Sequence, residues 1–323
     1  MNAVAEMPPL QAPGRPTPRL LIYGCGKMAE AMLSRWLATA SLTPESLTLV
    51  VRRLEHAAAL AEATGARVLV DASGRPHAGS GDGSSVAQTT DAISTEVAAA
   101  VAEADLVLVA VKPQQLTTLT ARLATAARPG QLWISVLAGI SLGGLSAALP
   151  VRWQRWMPNT PCRVGRGLIA RCGESGPDAA SLLADALLPP LGVGLWLPEA
   201  QFDAFTAVAG SGPAYVFAFA EALAAAGTDT GLDPAVSTAL ARDVVVGAAA
   251  LLAADPRSPA VLRAEVTSKG GTTEAALRVL LPGEASGTDA AGSQGLTTLL
   301  AQAVAAAASR SRAIGATAVK PSA

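Results

Sequence analysis

Acid–base side chains are scarce in this chain of 323 residues, which has two histidines, two tyrosines and three cysteines. Charged residues make up only 15%, and the 24 basic and 25 acidic groups form no dense block of either sign. That balance removes the electrostatic case for a nucleic-acid or membrane-surface partner. Cys25, Cys162 and Cys172 are odd in number and lack metal-ligand spacing, which fits reduced thiols in a cytoplasm and no metal site. The first 18 residues hold five prolines and no charge-then-apolar leader, so they read as a disordered tail. Residues 208–227 are almost wholly apolar, close to the roughly 20 residues that span a bilayer. Ser211-Gly212-Pro213 breaks that stretch and Glu221 charges it, which favours a buried interface helix over a membrane span. His56 and His77 read as structural and solvated, and Tyr23 and Tyr215 complete a poor proton-relay inventory. A 2-hydroxy-acid dehydrogenase needs such a relay to move the alcohol proton.

Hydrophobic residues are abundant, at 50%, enough for one large or two ordinary domains. Residues 19–23 read as a short buried strand, followed by Gly24-Cys25-Gly26-Lys27-Met28-Ala29 and a helical pattern. This is the G-x-G-x-x-A form of the dinucleotide fingerprint. Gly24 permits the turn, Gly26 lets a pyrophosphate approach the backbone, and Ala29 keeps helix and strand close. The next strand, 47–51, ends in Arg52-Arg53 where an acidic residue would bind the ribose hydroxyls of NAD. Two guanidiniums suit a 2′-phosphate instead; the alternative is a solvated pair ending a strand. After a third strand at 67–70, residues 72–85 read as a surface insertion. The apolar run 105–111 reads as a central parallel strand that delivers Lys112-Pro113-Gln114 to the edge where ligands bind. Strands at 132–136 and 153–156 follow, then a helix at 177–188 and a short strand at 194–197.

From residue 199 the chain is helical and alanine-rich, with helices expected at 214–226, 234–254, 274–280 and 296–314 and a surface insertion at 282–295. These helices bury little by themselves, so apolar faces remain for a partner. Between two of them lies Thr267-Ser268-Lys269-Gly270-Gly271-Thr272-Thr273, which supplies hydroxyls, a glycine turn and the start of a helix. Locally this is either a small-anion cradle or an ordinary capped helix after a glycine turn.

The loop V-T-S-K-G-G-T-T closely resembles the signature loop of pyrroline-5-carboxylate reductases, which usually reads V-T-S-P-G-G-T-T. The stretches V-K-P-Q, S-V-L-A-G-I-S, R-x-M-P-N-T-P and T-A-x-x-G-S-G-P-A-Y resemble the same family. The resemblance implies an α/β fold: an N-terminal Rossmann-type dinucleotide-binding domain over 19–198, then an all-helical dimerisation and substrate domain over 199–323. It implies NADP(H) as cofactor, with NAD(H) a second candidate, and a homodimer or assembly of dimers in the cytoplasm. Ala110, Lys112, Pro113, Ala138 and Gly139 would contact the cofactor, and residues 157–161 would line its nicotinamide end. For a cyclic imine carboxylate substrate, Thr273 would hydrogen-bond the ring nitrogen. Ser268, Gly271 and Thr272 would hold the carboxylate, with Glu199 as a substrate-side acid. The chain departs from the family at Lys269, at Ala264 where an acid is usual, and at Leu281 where a polar residue is usual. The implied reaction is NADPH-dependent reduction of 1-pyrroline-5-carboxylate to L-proline. The alternatives are a reductase of another cyclic imine, a β-hydroxyacid dehydrogenase relative, and a non-catalytic NADPH-binding paralogue.

Overall fold

The first strand, β1 (Leu20–Tyr23), alternates between two core faces, with Leu20 and Ile22 on one and Leu21 and Tyr23 on the other. A strand covered on both sides needs no polar face, which explains its unbroken apolar run. The computed structural model describes residues 19–71, 93–282 and 295–318. The tail expected over 1–18, the insertion over 72–85 with His77, and all of 282–295 but its two ends lie outside the described residues.

β2 (Leu47–Val51), β3 (Arg67–Val70), β4 (Leu106–Val109), β5 (Leu132–Ser135), β6 (Arg152–Pro158), β7 (Gly167–Gly173) and β8 (Gly192–Trp196) join β1 in one sheet. Its order is β3-β2-β1-β4-β5-β6-β7-β8. The strands from β3 through β6 are all parallel, β7 is antiparallel to β6, and β8 is parallel to β7. One face is covered by α1 (Lys27–Ala38), α2 (Leu54–Thr64) and α6 (Ala179–Ala186). The other is covered by α3 (Thr95–Glu103), α4 (Leu116–Leu123) and α5 (Leu142–Ala148). In α1 the buried Ala29, Met32, Leu33 and Trp36 recur at helical spacing. The Trp36 indole donates to the Leu187 carbonyl at 2.7 Å and so ties α1 to the end of α6. Ser94, Ser141 and Asp178 cap α3, α5 and α6 by accepting backbone amides, each contact stabilising by about 1 kcal/mol.

Among the elements that the sequence reading left out, two carry a weak local signal. β7 has glycine at both ends and Arg171 near its middle, a poor strand signal. The arginine is accommodated because its guanidinium pairs with Asp185 and lies 4.4 Å from the centre of the Trp196 ring. The other is α10 (Pro259–Glu265), seven residues long and capped by Ser258, too short to display a periodic face.

By packing, the chain divides into two compact units: one reaches Gly210 and takes in the chain from Arg310, the other is Ser211–Ser309. Residues just beyond 198 go with the sheet because Phe202 of α7 (Phe202–Phe205), 2% exposed, packs on Ala170 and Cys172. A π-helical turn, Thr206–Gly210, follows. The last helix, α12 (Leu296–Ala318), joins the sheet unit at its end, where Ser311 donates to Asp203 at 2.6 Å. The other unit contains α8 (Gly212–Asp229), α9 (Pro234–Ala254), α10 and α11 (Thr272–Leu280), with most of α12. The Ser237 hydroxyl donates to the Ala224 carbonyl at 2.6 Å and pins α9 to α8. Nevertheless α8 buries no residue and α9 only Ser237 and Ala241, leaving Phe217 and Leu251 each 64% exposed. The helical stretches Glu199–Asp229 and Pro234–Ala254 are long and apolar enough to cross a membrane.

Candidate functional site

A crevice of about 610 Å3 opens at the carboxyl ends of β1, β2 and β4. Strand order reverses between β1 and β4, and open α/β sheets bind ligands at such a switch point. Gly24 makes the turn with φ 86°, and a Cβ there would lie 2.8 Å from the Ala110 carbonyl oxygen, so only glycine fits. At Gly26 a Cβ would meet nothing within 4 Å, which leaves the backbone open to an incoming group. Gly26 is also the N-cap of α1 and offers no side-chain cap, so the first amides of the helix point into space an anion can use. Arg52 and Arg53, both exposed, follow β2 on the crevice wall, and Lys112 lies on the wall beyond β4. The donor set fits a phosphorylated dinucleotide: helix amides for the pyrophosphate and cations for a further phosphate.

The crevice thus gathers Gly24, Cys25, Gly26, Arg52, Arg53, Ala110 and Lys112. Lys27, Met28, Ala29, Pro113, Ala138 and Gly139 are outside its lining. Ala29 is 1% exposed and seats α1 on the sheet, and Gly139 packs on Gly315 at the end of α12. Cys25 is buried, and that burial pushes its thiol up to about 12, so it carries no thiolate chemistry at neutral pH. Sequence reasoning passed over two crevice residues. His56 lines the wall beside the arginines, with its Nε2 3.1 Å from Glu30 Oε1. Tyr23 donates its hydroxyl to the buried Asp71, which also accepts from Arg122 at 2.7 Å. Burial and the Asp71 carboxylate raise the Tyr23 phenol above its ordinary value, so it stays protonated and committed to this contact. A histidine two residues into a helix and a tyrosine ending a strand carry no sequence signal for such places.

The remaining loops of the sheet unit are tied internally. Asn159 is buried, donating to the Ala209 carbonyl at 2.9 Å and accepting the Leu168 amide at 2.9 Å. Glu199 Oε1 accepts from Arg155 at 2.6 Å and from the Leu142 amide at 2.7 Å, and the Arg155 guanidinium also covers the Phe202 ring at 4.5 Å. Its carboxylate therefore clamps the start of α5 to the segment ahead of α7.

In the helical unit, residues 268–271 form a tight turn: the Gly271 amide donates to the Ser268 carbonyl at 3.0 Å and Gly270 has φ 73°. A left-handed third residue with this bond is a type II turn, which calls for glycine at position 270. A Cβ on Gly271 would fall 2.4 Å from Ser268 Oγ, so the second glycine lets the serine fold over the turn. Gly271 is the N-cap of α11, and Thr272 and Thr273 are its first two residues. Thr272 and Lys269 are exposed and Thr273 is half-buried. The turn thus brings Ser268, Gly271, Thr272 and Thr273 together at a helix N-terminus. A cavity of about 340 Å3 in the same unit is lined by Arg263, Thr267, Glu274 and Arg278, with Ala264 and Leu281 among its walls.

The family model described as pyrroline-5-carboxylate reductase dimerisation matches residues 199–314, and one described as NADP oxidoreductase, coenzyme F420-dependent, matches residues 19–139. The chain is 42% identical over 185 residues to the pyrroline-5-carboxylate reductase of Pseudomonas aeruginosa, covering 56% of this chain and 68% of that one. It is 36% identical over 266 residues to the pyrroline-5-carboxylate reductase of a Synechocystis species, covering 81% of this chain and 89% of the relative. Among solved structures, a pyrroline-5-carboxylate reductase from Coxiella burnetii superposes with a TM-score of 0.73 at 27% identity, covering 93% and 99% of the two chains.

Proposed function

The chain belongs to the pyrroline-5-carboxylate reductase family, and from that premise we propose that it reduces 1-pyrroline-5-carboxylate to L-proline at the expense of NADPH. The observation that carries the cofactor half is the crevice where Arg52 and Arg53 stand beside an uncapped helix N-terminus at the switch point of the sheet. The nicotinamide, when bound, supplies the hydride that saturates the C=N carbon, C5 of the ring. The chain's own residues then bind and orient. Thr273 holds the ring nitrogen through its hydroxyl, and Ser268 with the backbone around Gly271 and Thr272 holds the carboxylate. A protonated imine is already electrophilic, so positioning supplies most of the rate and no strong proton relay is required. Tyr23, on the crevice wall, is committed to Asp71 and supplies no such relay. Steady-state rates with five- and six-membered cyclic imine carboxylates test the assignment. The five-membered ring should be preferred by at least about tenfold, the size of a methylene's worth of fit. Equal or reversed preference would move the chain to another cyclic imine.

A second copy of the chain is the partner we assign to the exposed apolar faces of α8 and α9. Phe217, Leu251 and their neighbours form exposed apolar faces of the kind that mark an interaction surface. A soluble dimer also explains why helices apolar enough to cross a membrane lack cover within one chain. Three buried cysteines, with Cys162 and Cys172 both pushed up to about 11 by burial, suit a reducing cytoplasm. Sedimentation at micromolar concentration should find dimers or larger assemblies and no folded monomer. A stable, active monomer would contradict the arrangement.

A further inference from the structure

The turn that precedes α11 depends on a residue well outside its own four. Its second position, where proline would fix φ at the value a type II turn needs, is occupied by Lys269, which fixes nothing. Its third residue, Gly270, pays the largest ordering entropy of any residue type. Glu274 is the third residue of α11, where a carboxylate can reach back to amides ahead of the helix. It does so here: Oε2 accepts the Gly270 amide at 2.6 Å, while Oε1 lies 3.3 Å from the Arg278 guanidinium one turn on. A charge-assisted bond thus lands on the residue whose left-handed conformation defines the turn, and Arg278 steadies the carboxylate from behind. Gly271, the N-cap itself, has no side chain to do this.

We propose that Glu274 is a positioning residue for the substrate loop, holding the Ser268–Gly271 turn in the shape that proline at position 269 would otherwise impose. The inference rests on the reading that this loop binds the imine carboxylate. It predicts a reciprocity between two positions that do not touch: the loop needs either a carboxylate at 274 or a proline at 269. Glu274→Ala should raise KM for 1-pyrroline-5-carboxylate about tenfold, the size of one charge-assisted hydrogen bond, with kcat and NADPH affinity within about twofold. Glu274→Gln, which keeps an acceptor, should fall between. Adding Lys269→Pro to Glu274→Ala should return KM to within about threefold of the wild type, because the turn is again preorganised.

Hydrogen exchange on the peptide spanning 266–275, followed in the intact full-length protein, reads the loop without any substrate. Exchange there should be about tenfold faster in Glu274→Ala and slow again in the double variant. An unchanged KM in Glu274→Ala overturns the proposal, as does a raised KM that Lys269→Pro fails to restore, or exchange that Glu274→Ala leaves unaltered. If the wild type does not reduce this imine, the functional reading fails on its own, and the exchange pattern still decides whether Glu274 and Lys269 govern the turn.

Discussion

Replacing Arg52 and Arg53 together with alanine should raise the dissociation constant of NADPH about a hundredfold while leaving that of NADH within about twofold. Both guanidiniums stand exposed at the end of β2, on the wall of the crevice that Gly24 and Gly26 open. NADPH and NADH differ only in the 2′-phosphate, so a contact that reads it must discriminate between them. A hydrogen bond to a charged group is worth about 1.5–3 kcal/mol, and exposed partners belong at the lower end of that range. Two such contacts give about 3 kcal/mol, and each 1.4 kcal/mol is a factor of about ten. Each single variant should therefore lose about tenfold. Fluorescence titration of both cofactors against the three variants checks this. Equal losses for NADPH and NADH would show that the arginines shape the crevice and do not read the phosphate.

Thr273→Ala should cut turnover with 1-pyrroline-5-carboxylate by tenfold or more and leave NADPH affinity within about twofold. Thr273 is the second residue of α11, half-buried, on a helix whose start carries no side-chain cap. In the proposed reaction its hydroxyl holds the ring nitrogen, and an oriented hydrogen bond counts in full only when the reacting carbon is held against the nicotinamide. Losing one such bond costs about 1.5 kcal/mol or more in the transition state. Thr273→Ser keeps the hydroxyl and should remain within about threefold of wild type. A fall in NADPH affinity as large as the fall in turnover would mark a folding defect instead. Wild-type turnover in Thr273→Ala would remove this hydroxyl from the reaction.

The dinucleotide-binding start of the chain was legible because its signals are local in sequence. The strand, the G-x-G-x-x-A turn and the helix after it are consecutive, each with a stereochemical reason for its residue types, and they came out as β1, the Gly24 turn and α1. Arg52 and Arg53 were legible for the same reason, since the end of β2 is a fixed place in the fold. Contacts between distant segments were not. The contacts of the Glu199 carboxylate with Arg155 and the Leu142 amide, residues far from it in sequence, could not be read there. Likewise, nothing around Tyr23 announces Asp71 and Arg122, and β7 becomes a strand only because β6 and β8 lie beside it. The 266–280 stretch shows both cases at once. Its glycines and hydroxyls were visible as a cradle or a capped helix, and the turn proves to be type II with Lys269 in the proline position. The contact from Glu274 to the Gly270 amide was invisible, since a glutamate three residues into a helix is ordinary.

The most direct measurement incubates the purified protein with 1-pyrroline-5-carboxylate and NADPH and follows cofactor oxidation at the same time as L-proline by chiral chromatography. One L-proline should form for each NADPH consumed, with NADPH used in preference to NADH and with no product when the imine is omitted. Full cofactor binding with no proline formed, or oxidation coupled to a different imine acid alone, would contradict the assignment.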